Sequence, residues 1–181
     1  AGAAALHTKG FLTKWLDFGP LPLGDAAGDP NAALAKERIP GQKTLKPAQH
    51  TKASVGATEH RWEVAESTDF FLDLGVAENS VTLAVSYVHS DEEVAEAFLL
   101  TGSDDSAAWW LNGQEVQKFL GGRGVVKDQD RTAKPVSLKK GVNVLMTAVI
   151  NGGGPTGACA RFVNKDNQPL LKLKSGAEPP K

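Results

Sequence analysis

Residues 101–116 read TGSDDSAAWWLNGQEV. Two adjacent carboxylates, Asp104 and Asp105, are followed by two adjacent tryptophans, Trp109 and Trp110, and then by Asn112–Gly113. An Asn-Gly pair between apolar runs is a strong hairpin signal, because both central positions of the tight turn take φ > 0. "AAWWL" is therefore a strand, and "QEV" begins its return. Side chains alternate along a strand, so the two rings face opposite sides of the sheet. One enters the core. The other is either covered by another segment or stacks its flat face on a sugar, since an uncovered indole is unfavourable.

Outward from this hairpin the pattern stays β. "VTLAVSYVH" alternates Val81, Leu83, Val85 and Tyr87 against Thr82, Ala84 and Ser86, and "VAEAFLLT" follows the acidic turn "SDEE". "PVSLKKGVNVLMTAVIN" holds a strand, a Lys-Lys-Gly turn and a long strand, and "GACARFVNKDNQPLLKL" reads as two short strands around Asp166–Asn167. "FLTKWLDFGPLPLG" opens the pattern with a strand that stops at Gly19–Pro20. Between them, residues 20–60 form a long excursion rich in Ala, Gly, Pro and Lys. Inside it, "DPNAALAKERIPG" carries an Asp29 cap and Pro30 at the first helical position, which predicts a short helix. A loop this long is functional or packs along an edge. Strands at this spacing with one short helix specify an all-β, antiparallel β-sandwich.

The chain has 181 residues, enough to bury a core without staples, and the single Cys159 excludes an intramolecular disulfide. Twenty basic and 21 acidic residues are spread along it, so no basic run offers a nucleic-acid footprint. No apolar run reaches the ~20 residues of a membrane span. The start, "AGAAALHTKG", reads as a mature end left by a signal peptidase or as a truncation edge. The organisation expected is a flexible tail over 1–10, a β-sandwich domain over 11–174 and a flexible tail over 175–181.

The phrases "WLDFGPLP", "HRWEV", "LLTGSDDSAAWWLNGQEV", "VSLKKGVNVLMTAVINGGG" and "ARFVNKDNQPL" occur in an order that resembles the galactose-binding-like jelly-roll domains attached to secreted bacterial glycoside hydrolases. The resemblance spans about residues 11 to 173. It departs at Ser106, where that group has Gly, at Trp109, which precedes the usual Trp, and in the length of the excursion. It implies a jelly roll, and a group that holds both sugar-binding modules and structural modules without a ligand. An aliphatic residue precedes the Trp in that pattern, which places Trp109 in the core and Trp110 on the outer face.

Candidate ligand residues are Trp110, Trp109, Asp105, Asn112 and Arg123. Asp104 and Asp105 either build a turn by accepting backbone N–H bonds or hold Ca²⁺, which takes about six to eight oxygens. In the second case Asp128, Asp130, Asp91 and Glu92 are the acids able to join from neighbouring loops. "GGRGVVKDQDR" is a glycine-rich loop, either solvated or presenting Arg123 or Arg131 to an acidic sugar. His7, His50, His60 and His89 stand in no zinc frame, and Cys159 reads as a small buried hydrophobe. No nucleophile elbow is present, and adjacent carboxylates on an extended chain point apart, so no enzyme is expected. The leading function is a non-catalytic carbohydrate-binding module of a secreted, periplasmic or cell-surface bacterial protein. It would bind a poly- or oligosaccharide and need no cofactor, with Ca²⁺ as the open alternative. The second is a structural or protein-interaction module supporting a neighbouring domain.

Overall fold

The computed structural model describes residues 9–67 and 69–181. After β1 (Lys14–Pro22) comes the helix α1 (Pro30–Ala35), followed by the short strands β2 (Lys52–Val55), β3 (Thr58–Arg61), β4 (Glu63–Glu66) and β5 (Leu72–Gly75). Two long strands follow, β6 (Ser80–Ser90) and β7 (Val94–Asp104), then the hairpin β8 (Ala107–Leu111) and β9 (Gln114–Phe119). The chain finishes with β10 (Asp130–Arg131), β11 (Val136–Leu138), β12 (Gly141–Asn151), β13 (Thr156–Val163) and β14 (Lys174–Gly176).

The fold is an all-β antiparallel sandwich. One sheet runs β4-β1-β6-β12-β8-β9, with β14 on β6 beyond the end of β1. The other runs β10-β7-β13-β5, with β11 beside β10 along β7. Between the sheets lie Trp15, Ala84, Val88, Ala107, Trp109, Leu145 and Val149 of the first, facing Leu72, Leu99, Ala158, Ala160 and Phe162 of the second. The alanines make room for the indoles. Trp15 and Trp109 meet edge to face, centroids 6.4 Å apart, and the Trp15 Nε1–H is satisfied by the Leu12 carbonyl.

A second core lies on the other side of the first sheet. Leu16, Phe18, Val81, Leu83, Val85, Tyr87, Trp110, Met146 and Ile150 project outward there and are roofed by Leu23, Ala33, Leu34, Ile39 and Trp62. This explains why β6 and β12 are buried on both faces, whereas a two-layer sandwich leaves one face of each sheet wet. The excursion is a third layer. Its helix forms as its cap predicts: Asp29 accepts the Ala32 N–H at 3.0 Å and Pro30 stands at the first turn. The Tyr87 hydroxyl ties the layer down by donating to the Pro47 carbonyl at 2.6 Å.

Several local expectations change. The segment from 169 to 173 forms no second strand after Asp166–Asn167; it turns back on β13 through the Leu170 N–H to the Phe162 carbonyl. The tail expected from residue 175 enters the fold instead. Lys174–Gly176 pairs with β6, and Ser175 Oγ accepts the N–H groups of Thr13 and Lys14. The expected N-terminal tail lies almost wholly outside the described residues.

Candidate functional site: the loop end at Asp104 and Asp105

The β7–β8 connection, the segment following β9 and the β12–β13 loop meet at one end of the sandwich. Asp105 organises the meeting. Its Oδ1 accepts the Arg123 N–H at 3.0 Å and its Oδ2 accepts the Gly152 N–H at 2.9 Å. Its own N–H donates to the Ile150 carbonyl at 2.8 Å, and its carbonyl accepts from Ser103 Oγ at 2.7 Å. Ser106, the departure from glycine, has a use here. Its hydroxyl accepts the Gly121 N–H at 2.9 Å and donates to the Gly121 carbonyl at 3.2 Å. Asn151 shapes the third loop, accepting the Gly153 N–H and donating to the Ala77 and Gly154 carbonyls.

Asp104 ends β7 with its carbonyl held by the Thr156 hydroxyl. The Asp104–Asp105 peptide bond is cis. The two carboxyls do not act independently as on an extended chain; the Asp105 charge bears on Asp104. The Asp104 carboxyl is held above the usual carboxylate range, first by partial burial, then by the neighbouring Asp105 charge and its hydrogen bond. It forms no ion pair among the described residues.

Arg123 is committed to the protein. Four of its five N–H groups are used: Nε to the Ser103 carbonyl, Nη2 to Ser103 Oγ, and a two-pronged pair with Asp130. Its Cζ lies 3.5 Å from the Phe119 ring centroid. This side chain braces the loops and is not free to grip an acidic sugar. Arg131 is likewise laid over Phe98 and bonded to Asn167.

The other predicted ligand residues lie elsewhere. Trp109 is 1% exposed and sits between the sheets, as its alternation with Trp110 requires. Trp110 does project from the outer face, but it is 2% exposed because the excursion covers it. Its expected role in stacking on a sugar is therefore corrected: no ring face is open. Asn112 stands at the opposite end of β8, with φ 51° in the predicted two-residue turn. Its amide is tied to Asn143 Oδ1 and its carbonyl oxygen accepts the Val144 N–H, so it locks the hairpin tip to β12.

A calcium site receives only part of the expected acids. Asp128 pairs with Arg161, Asp130 with Arg123, and Asp91 with His89. Asp91 and Glu92 lie in the β6–β7 turn, at the far end of β7 from Asp104. Among the described residues no group of three or more His, Cys, Asp or Glu is placed to hold a metal. A cation at Asp104–Asp105 would thus meet only two side-chain carboxylates, and backbone carbonyls, water and ligand hydroxyls would have to complete its shell. Calcium tolerates that mixture. Cys159 is inert: burial, then the charge of Asp128, pushes its thiol up to about 12.

The sequence did not flag Ser103, Thr156, Phe119 or Gly152, whose roles arise from long-range contacts. Gly102 is one position where a signal existed. A Cβ there would lie 2.1 Å from the Val126 carbonyl oxygen, because the loop after β9 crosses directly over β7.

No protein-family profile matches the chain, and no curated protein sequence matches it. Solved structures with a similar course include the PA14 domain of the MpAFP antifreeze protein, with a TM-score of 0.46, 11% identity and coverage of 94% of each chain. A PA14 sugar-binding domain from an RTX adhesin has a TM-score of 0.44 and 11% identity, covering 86% of this chain and 91% of that one.

Proposed function

We propose that the chain is a non-catalytic carbohydrate-binding module of a secreted or cell-surface protein, recognising its glycan through the Asp104–Asp105 end by polar contacts rather than by ring stacking. The observation that carries this reading is the pairing of a fixed carboxylate with a neighbouring one that no cation neutralises. Asp105 is immobilised by two backbone N–H groups, and Asp104 beside it has no cationic partner among the described residues. Two carboxylates held together at a rim favour a bridging cation or a row of donor hydroxyls, since either relieves their repulsion. A bound Ca²⁺ would supply Lewis-acid coordination to vicinal sugar hydroxyls. The residues that hold the site are Asp104 and Asp105 as ligands, and Arg123, Ser103, Ser106 and Asn151 as bracing.

A second reading is favoured by a different observation. Trp109, Trp110, Asn112 and Arg123 all spend their contacts inside the protein, which suits a structural module supporting a neighbouring domain. A glycan array probed with calcium and with chelator, using wild type and Asp104→Asn, separates the two. Binding that falls at least tenfold in the variant supports the module. An array silent in every condition, from protein that melts cooperatively, gives the structural reading precedence.

A further inference from the structure

At the end of the sandwich away from Asp104, the hairpin tip and two other segments form a half-open pocket of about 240 Å³. It is lined by Lys43, Thr44, Lys46, Asn112, Gly113, Lys139 and Val144. Its three ionisable side chains are all lysines, from the excursion and from the β11–β12 turn. None of them has a salt-bridge partner among the described residues, although acids elsewhere pair with Lys14, Lys52 and Lys118. The chain as a whole carries net charge -1, so this convergence is not a by-product of a basic protein.

From these features we propose that the pocket binds an oxyanion: a sulfate, phosphate or carboxylate group, free or borne on an acidic saccharide. Three lysines lining one concavity put like charge along its wall, and a bound anion offsets their mutual repulsion. Lysine suits the role as a point charge with three donors, able to follow differently shaped anions. The volume lies below the ~300–1,000 Å³ of sites for larger small molecules, so the pocket itself seats one charged group or a single ring, with the rest of a larger ligand outside.

The walls are specified by the fold. Asn112 is locked to β12 by two hydrogen bonds. Gly113 has φ +86°, and a Cβ there would come 2.9 Å from Thr44 Cγ2, so the turn seats closely against the segment carrying Lys43 and Lys46. Lys43 is further placed by the Trp110 ring, its Nζ 5.9 Å from the centroid. The covered indole that cannot stack on sugar thus helps orient a cation.

The test is an amide-shift titration with inorganic sulfate, inorganic phosphate, a sulfated disaccharide and its unsulfated parent. Wild type, Lys46→Ala/Lys139→Ala and Asp104→Asn are compared. The expected result is saturable shifts at Thr44 and Gly113 with the anions and none with the neutral sugar. Affinity should fall at least tenfold in the double variant and with added salt, and stay unchanged in Asp104→Asn. Tighter binding of the sulfated disaccharide than of free sulfate identifies a glycan as the source; equal affinities identify a free-anion site. Absence of saturation, or equal affinity in wild type and the double variant, overturns the proposal. The Asp104→Asn arm keeps that outcome separate from failure at the other end.

Discussion

Trp110→Ala should unfold the domain's outer core, and its size follows from burial. An indole buries ~150–250 Å², which at ~25 cal/mol per Å² is about 4–6 kcal/mol. Alanine keeps the Cβ, and the unfolded chain already hides ~10–40% of such surface, which brings the loss to about 3–5 kcal/mol. That is a large share of the ~5–15 kcal/mol available to a folded domain. At ~2–4 °C per kcal/mol for this size, the melting temperature should fall by about 6–20 °C. Trp110→Phe should fall by much less. The assay pairs a thermal melt with iodide quenching of fluorescence. Trp15, Trp62, Trp109 and Trp110 are all buried, so the folded protein should show no quenchable component. A melting shift below about 2 °C in Trp110→Ala, with a quenchable signal in wild type that the variant lacks, would mean the ring is open and the third layer does not cover it.

Asp17 faces Glu63 across the β1–β4 pair, and burial, then that charge, raises its carboxyl to about 6 from 3.8. Its stabilising contribution is complete below 3.8 and disappears as pH rises through about 6, so Asp17→Asn should raise stability at pH 8 by about 1–2 kcal/mol, after discounting for its partial exposure, and not at pH 3. Urea titrations at the two pH values check this; equal effects at both would refute it. Gly113→Val should cost at least about 2 kcal/mol, because a β-branched residue resists φ > 0 and would meet Thr44; an unchanged urea midpoint would contradict the turn geometry. If calcium binds at Asp104–Asp105, the rise in melting temperature it produces should fade as pH drops through the raised range of Asp104, and be absent in Asp104→Asn. A calcium shift that survives in that variant places the ion elsewhere.

Much of the architecture was legible because it depends on short-range rules. The Asn112–Gly113 turn, the Asp29–Pro30 helix start and the alternation of β6 and β12 each follow from backbone preference or side-chain period over a few residues. The departures trace to long-range contact. Residues 169–173 are apolar enough for a strand but turn back against β13. Ser175 looks like tail sequence, yet its hydroxyl closes two N–H groups of β1.

The candidate site divides in the same way. Sequence by itself determined that Trp109 and Trp110 oppose one another, that two acids precede them and that a glycine-rich loop carrying Arg123 follows. Only the tertiary structure decided what those groups meet. Strand period assigns a side chain to a face but does not say whether that face is wet, and the excursion of residues 20–60 settles that for Trp110 by roofing its sheet. Arg123 is free or spent according to whether Asp130 and Ser103 come within reach, and those partners are brought to it by strand pairing across the second sheet. The three lysines of the anion pocket are scattered at 43, 46 and 139. They meet because the hairpin tip, held to β12 by Asn112, seats against the covering layer, a packing event with no local signature in the chain.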